Sequence, residues 1–353
     1  MLNSICEYFC NKTIWFKKGI ADTDNFKALV VRENEGEVRY QVEEQTKESM
    51  LSDGEVLIKV AYSSVNYKDM LAVQKNAGVI RNYPMIPGID LSGTIEASAD
   101  ASYSKGQHVL VTGYEMGMSH TGGFSEYARV PASWVVPLPE SLSMKEAMIF
   151  GTAGLTAALS VFELEKEGMD AALDQTILVT GATGGVGSIA LQILSKSGYK
   201  NITALVRKEN QIEVAKNLGA TEVILLSDFE FNHKPLAKEM FHYILDTVGG
   251  ELLSNLLPYV SYQGSVSLCG NAGGLQISST VLPFILRGVN LVGIDSVNIS
   301  HEYRTLIWNK LAQEWKITDT TLFTGISLEA LPQTIQLLKE GKHLGRTIVE
   351  IGE

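Results

Sequence analysis

Apolar positions along the chain fall into two regimes. From Phe26 to about Pro139 they form short β-branched or apolar runs, Phe26–Arg32, Glu55–Ser63 and Gln107–Thr112. Turn dipeptides separate these runs: Asp53-Gly54, Pro87-Gly88 and Lys105-Gly106. Few helical repeats interrupt the stretch, so it predicts a compact β-barrel-like unit. The pattern then changes. Ser143–Leu164 reads as one or two helices, with Met144, Ala147 and Met148 leading into Leu155–Val161. Beyond it, predicted strands (Thr176–Thr180, Ile202–Val206, Glu222–Leu226, His242–Asp246, Gly264–Cys269, Asn290–Ile294) alternate with helices Gly187–Ser197, Asn210–Leu218 and Leu252–Leu257. That alternation predicts an α/β domain with a doubly wound parallel sheet. A helical stretch, Glu302–Glu314, and a last strand, Arg346–Ile351, leave no room for a third domain. A remnant of that size packs back on an earlier unit. The expected division is an appended segment 1–25, a β-rich unit 26–150 to which 296–353 returns, and a parallel-sheet domain 151–295. No internal repeat is present.

Composition agrees with two folded domains: 353 residues, 45% hydrophobic and 20% charged, against a prior of roughly 150 residues per domain. Lys and Arg total 29 against 40 Asp and Glu, a net charge of −11. An acidic surface suits a phosphate backbone poorly, so nucleic acid is not an expected partner, and an anionic ligand would need a local cationic pocket. Three cysteines, Cys6, Cys10 and Cys269, cannot build a disulfide framework and fit a reducing compartment. The apolar residues near the N-terminus are broken by Glu7, Asn11 and Lys12, which leaves no signal-peptide core. Gln175–Ser195 and Leu252–Leu286 reach spanning length without a charge, yet both are rich in Gly, Ser, Asn, Gln or Pro and read as buried core. A soluble cytoplasmic protein is the expectation.

The strongest motif runs Ile177-Leu178-Val179-Thr180-Gly181-Ala182-Thr183-Gly184-Gly185-Val186-Gly187-Ser188 into the apolar helix Ile189–Leu194. A strand enters a turn whose glycines let the backbone approach a pyrophosphate, and a helix N-terminus presents free N–H groups to that anion. Glycine-rich strings also serve plain tight turns; here strand, helix and further βαβ units fall where dinucleotide binding needs them. No Gly-Lys-Ser/Thr follows, which excludes a P-loop. After Ile202–Val206, a site for NAD would place Asp or Glu on the ribose hydroxyl. This chain has Val206-Arg207-Lys208, a cationic pair suited to the 2′-phosphate of NADP, with Lys234 as a further candidate; the bland reading makes these solvated surface residues.

With a β-rich unit ahead of this turn, the chain resembles the medium-chain dehydrogenase/reductase superfamily, in its zinc-free quinone-oxidoreductase branch. The segments Ser64-Val65-Asn66-Tyr67-Lys68-Asp69, Pro84-Met85-Ile86-Pro87-Gly88-Ile89-Asp90, Gly151-Thr152-Ala153-Gly154-Leu155-Thr156-Ala157, Pro283-Phe284-Ile285-Leu286-Arg287 and Gly293-Ile294-Asp295-Ser296-Val297 narrow it. Together they resemble the YhdH/YhfP group, which includes acrylyl-CoA reductases of the AcuI type. The resemblance runs from about Phe26 to the C-terminus and implies a GroES-like β-rich catalytic domain beside a Rossmann NADP-binding domain. Zinc-dependent relatives carry a cysteine three residues before an aspartate, then Gly-His-Glu. Here Asn66 precedes Asp69, and the second motif reads Gly88-Ile89-Asp90. Isoleucine cannot ligate, and an amide is a poor zinc ligand beside thiolate. The four-cysteine structural lobe is absent too, so no metal is expected.

The resemblance implies reduction of a conjugated carbon–carbon double bond by NADPH, with an enoyl thioester such as acrylyl-CoA as substrate. It places Tyr67, Thr183, Gly184, Gly185, Val186, Leu205, Val206, Arg207, Lys234, Asn271, Ile285, Ser296 and Arg346 against the cofactor. Asn66, Tyr67 and Asp69 are the catalytic candidates, to order substrate or relay a proton. The bland readings stand beside these: Asn66 and Asp69 hold a turn, Tyr67 only stacks, solvent supplies the proton, and Arg346 instead takes a substrate anion. Lys68, Lys75 and Arg81 are candidates for a coenzyme A rim, and Met116 and Met118 for the substrate mouth. Asp246 reads as a turn residue rather than an acid. Asn290–Ile294 reads as an edge strand, where a homodimer would continue the sheet. Two alternatives remain: a quinone reductase with a flat apolar slot, and a non-catalytic NADPH-binding sensor with Tyr67 or Phe284 blocking the nicotinamide.

Overall fold

A computed structural model describes residues 25–75, 77–317 and 322–352. The expectations for segment 1–25, with Cys6 and Cys10, lie outside the described residues apart from Asn25. The chain opens with a hairpin, β1 (Asn25–Asn34) and β2 (Glu37–Thr46). Glu35 and Gly36, both at positive φ (53° and 79°), make the two-residue turn that matches strand twist. β2 is not among the predicted strands, although Val38, Tyr40 and Val42 alternate with polar residues as on a half-covered strand.

The β-rich unit continues with β3 (Val56–Ser64), a short helix α1 (Tyr67–Ala72), β4 (Asp90–Ser98), β5 (His108–Thr112), β6 (Tyr127–Val130) and β7 (Val136–Pro137). A long helix, α2 (Met144–Lys166), follows and is buried along most of its length. The Rossmann sheet takes β8 (Thr176–Thr180), β9 (Asn201–Val206), β10 (Glu222–Leu225), β11 (Phe241–Asp246), β12 (Val260–Leu268) and β13 (Asn290–Gly293). Between them lie α3 (Gly185–Lys196), α4 (Ile212–Asn217), α5 (Gly250–Leu256) and α6 (Leu282–Arg287). The chain closes through α7 (His301–Ala312), β14 (Phe323–Ser327), α8 (Leu331–Lys339) and β15 (Arg346–Glu350).

The six Rossmann strands are all parallel, in the order β10-β9-β8-β11-β12-β13. Ile177, Leu178 and Val179 are buried on both faces, as uninterrupted apolar runs in a covered parallel sheet must be. Strand order reverses between β8 and β11, and a ligand crevice opens beyond the carboxyl ends of the strands at such a point. β13 lies at the sheet edge. The C-terminal β15 pairs antiparallel with β3, so the end of the chain enters the seven-stranded sheet of the first unit. The helix α7, by contrast, packs Ile307, Trp308 and Leu311 into the core shared with α2 and α3.

Candidate active site

The site lies where α2 passes between the two units. Helix α2 is broken at Gly151, whose φ of 51° and ψ of −153° belong to a region open essentially to glycine alone. The break frees carbonyls before it and an amide after it, and two charged side chains take them. Arg346 donates to the carbonyls of Met148 (3.3 Å), Ile149 (3.1 Å) and Phe150 (3.3 Å). Asp90 Oδ2 accepts from the Thr152 amide at 2.8 Å. Cation thus meets the carboxyl end of one half-helix and anion the amino end of the next, the favourable sense for both dipoles. A Cβ at Gly151 would stand 2.5 Å from Arg346 Nη2 and from Ser64 Oγ, and 2.8 Å from Asp90 Oδ2.

Ser64 and Asn66 tie the two charges together. Arg346 Nη2 donates to Ser64 Oγ (2.7 Å), and Ser64 donates through its amide (2.9 Å) and hydroxyl (2.7 Å) to Asp90 Oδ1. Asn66 Oδ1 accepts from Arg346 Nη1 (3.1 Å), while its Nδ2 donates to Asp90 Oδ2 (2.8 Å). Asp69 lies behind this knot in a capping box at the start of α1, its Oδ2 accepting from the Asn66 amide (2.8 Å) and its Oδ1 from Gly88 (3.2 Å). Burial, then the neighbouring Asp90, pushes the Asp69 carboxyl up to about 8 against the pull of the amides of Asn66, Gly88 and Ile89. Burial loosens Arg346's hold on its proton, and Asp90 and Asp69 oppose that.

Four sequence candidates lie inside the fold. Arg346 is 1% exposed and spends its guanidinium on internal acceptors, so it offers no clamp for a substrate phosphate or carboxylate. Asn66 (8% exposed) and Asp69 (0%) are turned into the same interior. Met116 is fully buried in the β-unit core and does not line a mouth. Tyr67, the first residue of α1, is the member of the catalytic trio that faces solvent, at 44% exposure.

Directly above the knot is the glycine-rich turn. A Cβ at Gly185 would come within 3.5 Å of Arg346 Cδ. Gly181 (φ 56°) starts the turn and a side chain there would strike Thr247 Oγ1; a Cβ at Gly187 would strike the Gly181 carbonyl. Helix α3 starts at an N-cap, Gly184, that has no side chain to cap with, so the first-turn amides keep their capacity for an anion. Beside it, the end of β9 presents Arg207 and Lys208, both exposed. Leu205 and Val206 are buried within β9. Lys234 follows β10 and is exposed, as is Asn271 after β12; Ile285 on α6 is 68% exposed. Parallel topology sets Thr183–Val186, Arg207, Asn271 and Ser296 after the carboxyl ends of their strands, on one edge of the sheet; Lys234 lies instead in the return to β11, its amide donating to Asn232, whose own amide donates to the Tyr259 hydroxyl just before β12. The Ser296 hydroxyl accepts from Thr156 Oγ1 at 2.8 Å, so it faces α2.

Other groups close the site's walls. Arg304, fully buried, donates to the carbonyls of Thr112 (2.7 Å), Ser296 (3.3 Å) and Val297 (2.8 Å), docking the loop after β13 on the β-unit. Asp246 accepts from Thr180 Oγ1 and the Gly249 amide at 2.7 Å each, a turn role. Burial pushes the Cys269 thiol up to about 12, which leaves it protonated. Ser64 and Gly151 were part of motif segments without a role of their own, and Arg304 and Gln211 gave no signal in the sequence. A glycine inside a strongly apolar helix was the one local hint, for Gly151.

A family model described as "Alcohol dehydrogenase GroES-like domain" matches residues 52–140, and one described as "Zinc-binding dehydrogenase" matches 185–313. YhfP of Bacillus subtilis, which carries a provisional quinone oxidoreductase name, is 43% identical over 329 residues, 92% of this chain and 99% of YhfP. Its crystal structure with NAD bound superposes with a TM-score of 0.89, covering 93% of this chain and 99% of that one. Acrylyl-CoA reductase AcuI of Ruegeria pomeroyi is 39% identical over 331 residues, 92% of this chain and 99% of AcuI. The yhdH oxidoreductase of Salmonella enterica, crystallised with NADP, has a TM-score of 0.87 at 39% identity and covers 92% of this chain and 100% of its own.

Proposed function

The chain belongs to the medium-chain dehydrogenase/reductase superfamily, and from that premise we propose that it is an NADPH-dependent reductase of an activated carbon–carbon double bond, with acrylyl-CoA or a related enoyl thioester as substrate. The observation that carries this reading is the juxtaposition of a glycine turn with free amides and a knot in which Asn66 and a buried guanidinium donate and Asp90 accepts. A fixed cation at the knot repels a second cation, and both Asp90 oxygens already accept hydrogen bonds. Those residues do not fit a zinc ion. The turn does fit a dinucleotide: an uncapped helix start, with a cationic pair at the next strand end.

When bound, NADPH supplies a hydride for the β-carbon of the substrate. The chain's own part is to hold and shield. Amides of Gly185 and Val186 take the pyrophosphate, Arg207 and Lys208 the 2′-phosphate, with Asn271 further along the same edge. Tyr67 and Ile285 flank the nicotinamide position with apolar surface. Leu205, Val206, Ser296 and Arg346 shape the floor from behind. Because Asn66 and Asp69 are closed off, the proton for the α-carbon comes from solvent. Lys68 lies near enough to Asp295 to lower that carboxyl, after the effects of burial and of Asn298 and the backbone amides. That proximity supports Lys68 as a cation for coenzyme A phosphates. Lys75 is drawn toward Glu37 at 3.8 Å.

A homodimer through the β13 edge is part of the same reading, supported by exposed Leu291 (37%), Leu286 (57%) and Val281 (64%) beside it. So is a cytoplasmic location. The test of the reaction is loss of NADPH absorbance with acrylyl-CoA, crotonyl-CoA, a simple enone and a benzoquinone. Turnover of the thioesters is the expected result. Preference for benzoquinone would replace it with quinone reduction, and binding of NADPH without any turnover would make the protein a sensor.

A further inference from the structure

One side chain joins the two halves of the anion site, and neither its type nor its position belongs to the glycine motif. Gln211 ends a 3₁₀ turn, Glu209–Gln211, that follows β9. Its Oε1 accepts from the backbone amides of Arg207 and Lys208, 3.1 Å each, and its Nε2 donates to Thr183 Oγ1 at 2.8 Å. The pattern fixes the amide's orientation, because two N–H donors demand the oxygen on one side. Thr183 is 5% exposed and sits in the glycine turn immediately before Gly184. Gln211 therefore spans from the backbone under the cationic pair to the floor of the pyrophosphate turn. Among the described residues, the side chains of Arg207 and Lys208 form no ion pair, so no carboxylate orients them.

We propose that Gln211 is a positioning residue for cofactor choice: it holds the Arg207–Lys208 backbone in register with the pyrophosphate turn, so that the 2′-phosphate and pyrophosphate grips act on one molecule. The inference rests on the NADPH reading above. Without the bridge, the loop after β9 keeps its residues but not its distance from Gly184, and each additional degree of freedom weakens the two-point hold. NADH does not use the second point and should be indifferent.

The test compares wild type, Gln211→Ala and Gln211→Glu, reading Kd for NADPH and NADH by nucleotide fluorescence, kcat and KM, and thermal midpoint. Gln211→Ala should weaken NADPH binding about three- to tenfold, the weight of one or two net hydrogen bonds, with NADH changed less than twofold and kcat retained. Gln211→Glu keeps acceptors for both amides and for the Thr183 hydroxyl but adds a charge, so NADPH should suffer more than in Gln211→Ala and NADH again little. A Thr183→Val variant combined with Gln211→Ala should cost less than the sum of the two single changes, since they share the Gln211–Thr183 bond. Equal losses for both nucleotides, or a preference for NADPH that survives Gln211→Ala unchanged, would overturn the assignment. Wild type that binds NADH as tightly as NADPH would instead sink the NADPH reading beneath it. A large fall in thermal midpoint with unchanged nucleotide preference would reduce Gln211 to a structural cap.

Discussion

The glycine turn and the knot beneath it are separated by about one side chain, and they treat hydrogen bonds in opposite ways. At the turn, the amides at the start of α3 are left without a capping side chain. In the knot, Ser64, Asn66, Asp90 and Arg346 satisfy one another and the two ends of a broken helix. Open donors make a ligand site; closed ones make a joint. The comparison teaches that polar side chains in a cleft reveal function through what they still lack. Composition alone would rank the knot, with its arginine and two aspartates, above a run of glycines.

The sharpest way to break the comparison is Arg346→Ala. Removing one member of a buried charge network leaves Asp90 without its neighbouring cation and the carbonyls of Val65, Met148, Ile149 and Phe150 without the guanidinium's hydrogen bonds, a loss of about 3–5 kcal/mol. Urea denaturation should show it, along with poor yield of folded protein. A variant that keeps its stability but no longer binds nucleotide or substrate would move Arg346 from the joint to the ligand site. Next in size is Gly151→Ala, where positive φ alone costs about 1–3 kcal/mol and the new Cβ also meets Arg346 and Ser64. The same denaturation experiment reads it. An unchanged midpoint would mean that the helix break can be repaired without disturbing the charges.

The open side is tested by Arg207→Ala. Its side chain is exposed and no stability should be lost, whereas KM for NADPH should rise about tenfold, the weight of a charge-assisted hydrogen bond to phosphate. KM for NADH should stay within twofold. Equal changes for both would remove the 2′-phosphate from this position.

The two sites were not equally legible in the sequence. The turn is local: twelve consecutive residues carry strand, glycines and helix, and the parallel pairing of the Rossmann strands follows from their alternation with helices. The knot draws on Ser64, Asn66, Asp90, Gly151 and Arg346, with Arg346 standing 282 residues from Ser64. No window contains them, and only the return of β15 to β3 brings the arginine in. The motifs Ser64–Asp69 and Gly88–Asp90 were visible as chemistry-bearing strings, yet Ser64, Asn66, Asp69 and Asp90 point inward, a fact decided by packing around α2. Gln211 was hidden differently. It stands in a polar run, Lys208-Glu209-Asn210-Gln211, where nothing marks one amide as the bridge.

The smallest expected effect concerns Asp69, which belongs to the closed side but titrates within reach of experiment. Its ordinary value is 3.8, and in the fold it is pushed up to about 8. Between those limits the folded chain keeps a proton that the unfolded chain has released. The stability this group contributes is therefore full below about pH 4 and is lost as pH rises toward and through about 8. Asp69→Asn removes the titration, so its unfolding free energy should depend less steeply on pH across that window than the wild type's. The substitution also sets an NH₂ group against one of the backbone amides from Asn66 and Gly88, so the variant should be weaker in absolute terms at pH 5 and closer to wild type at pH 8. Parallel pH profiles would mean that those two amides outweigh burial and keep Asp69 ionised. It would then be a second permanent anion beside Asp90, and Arg346 would neutralise a pair of carboxylates rather than one.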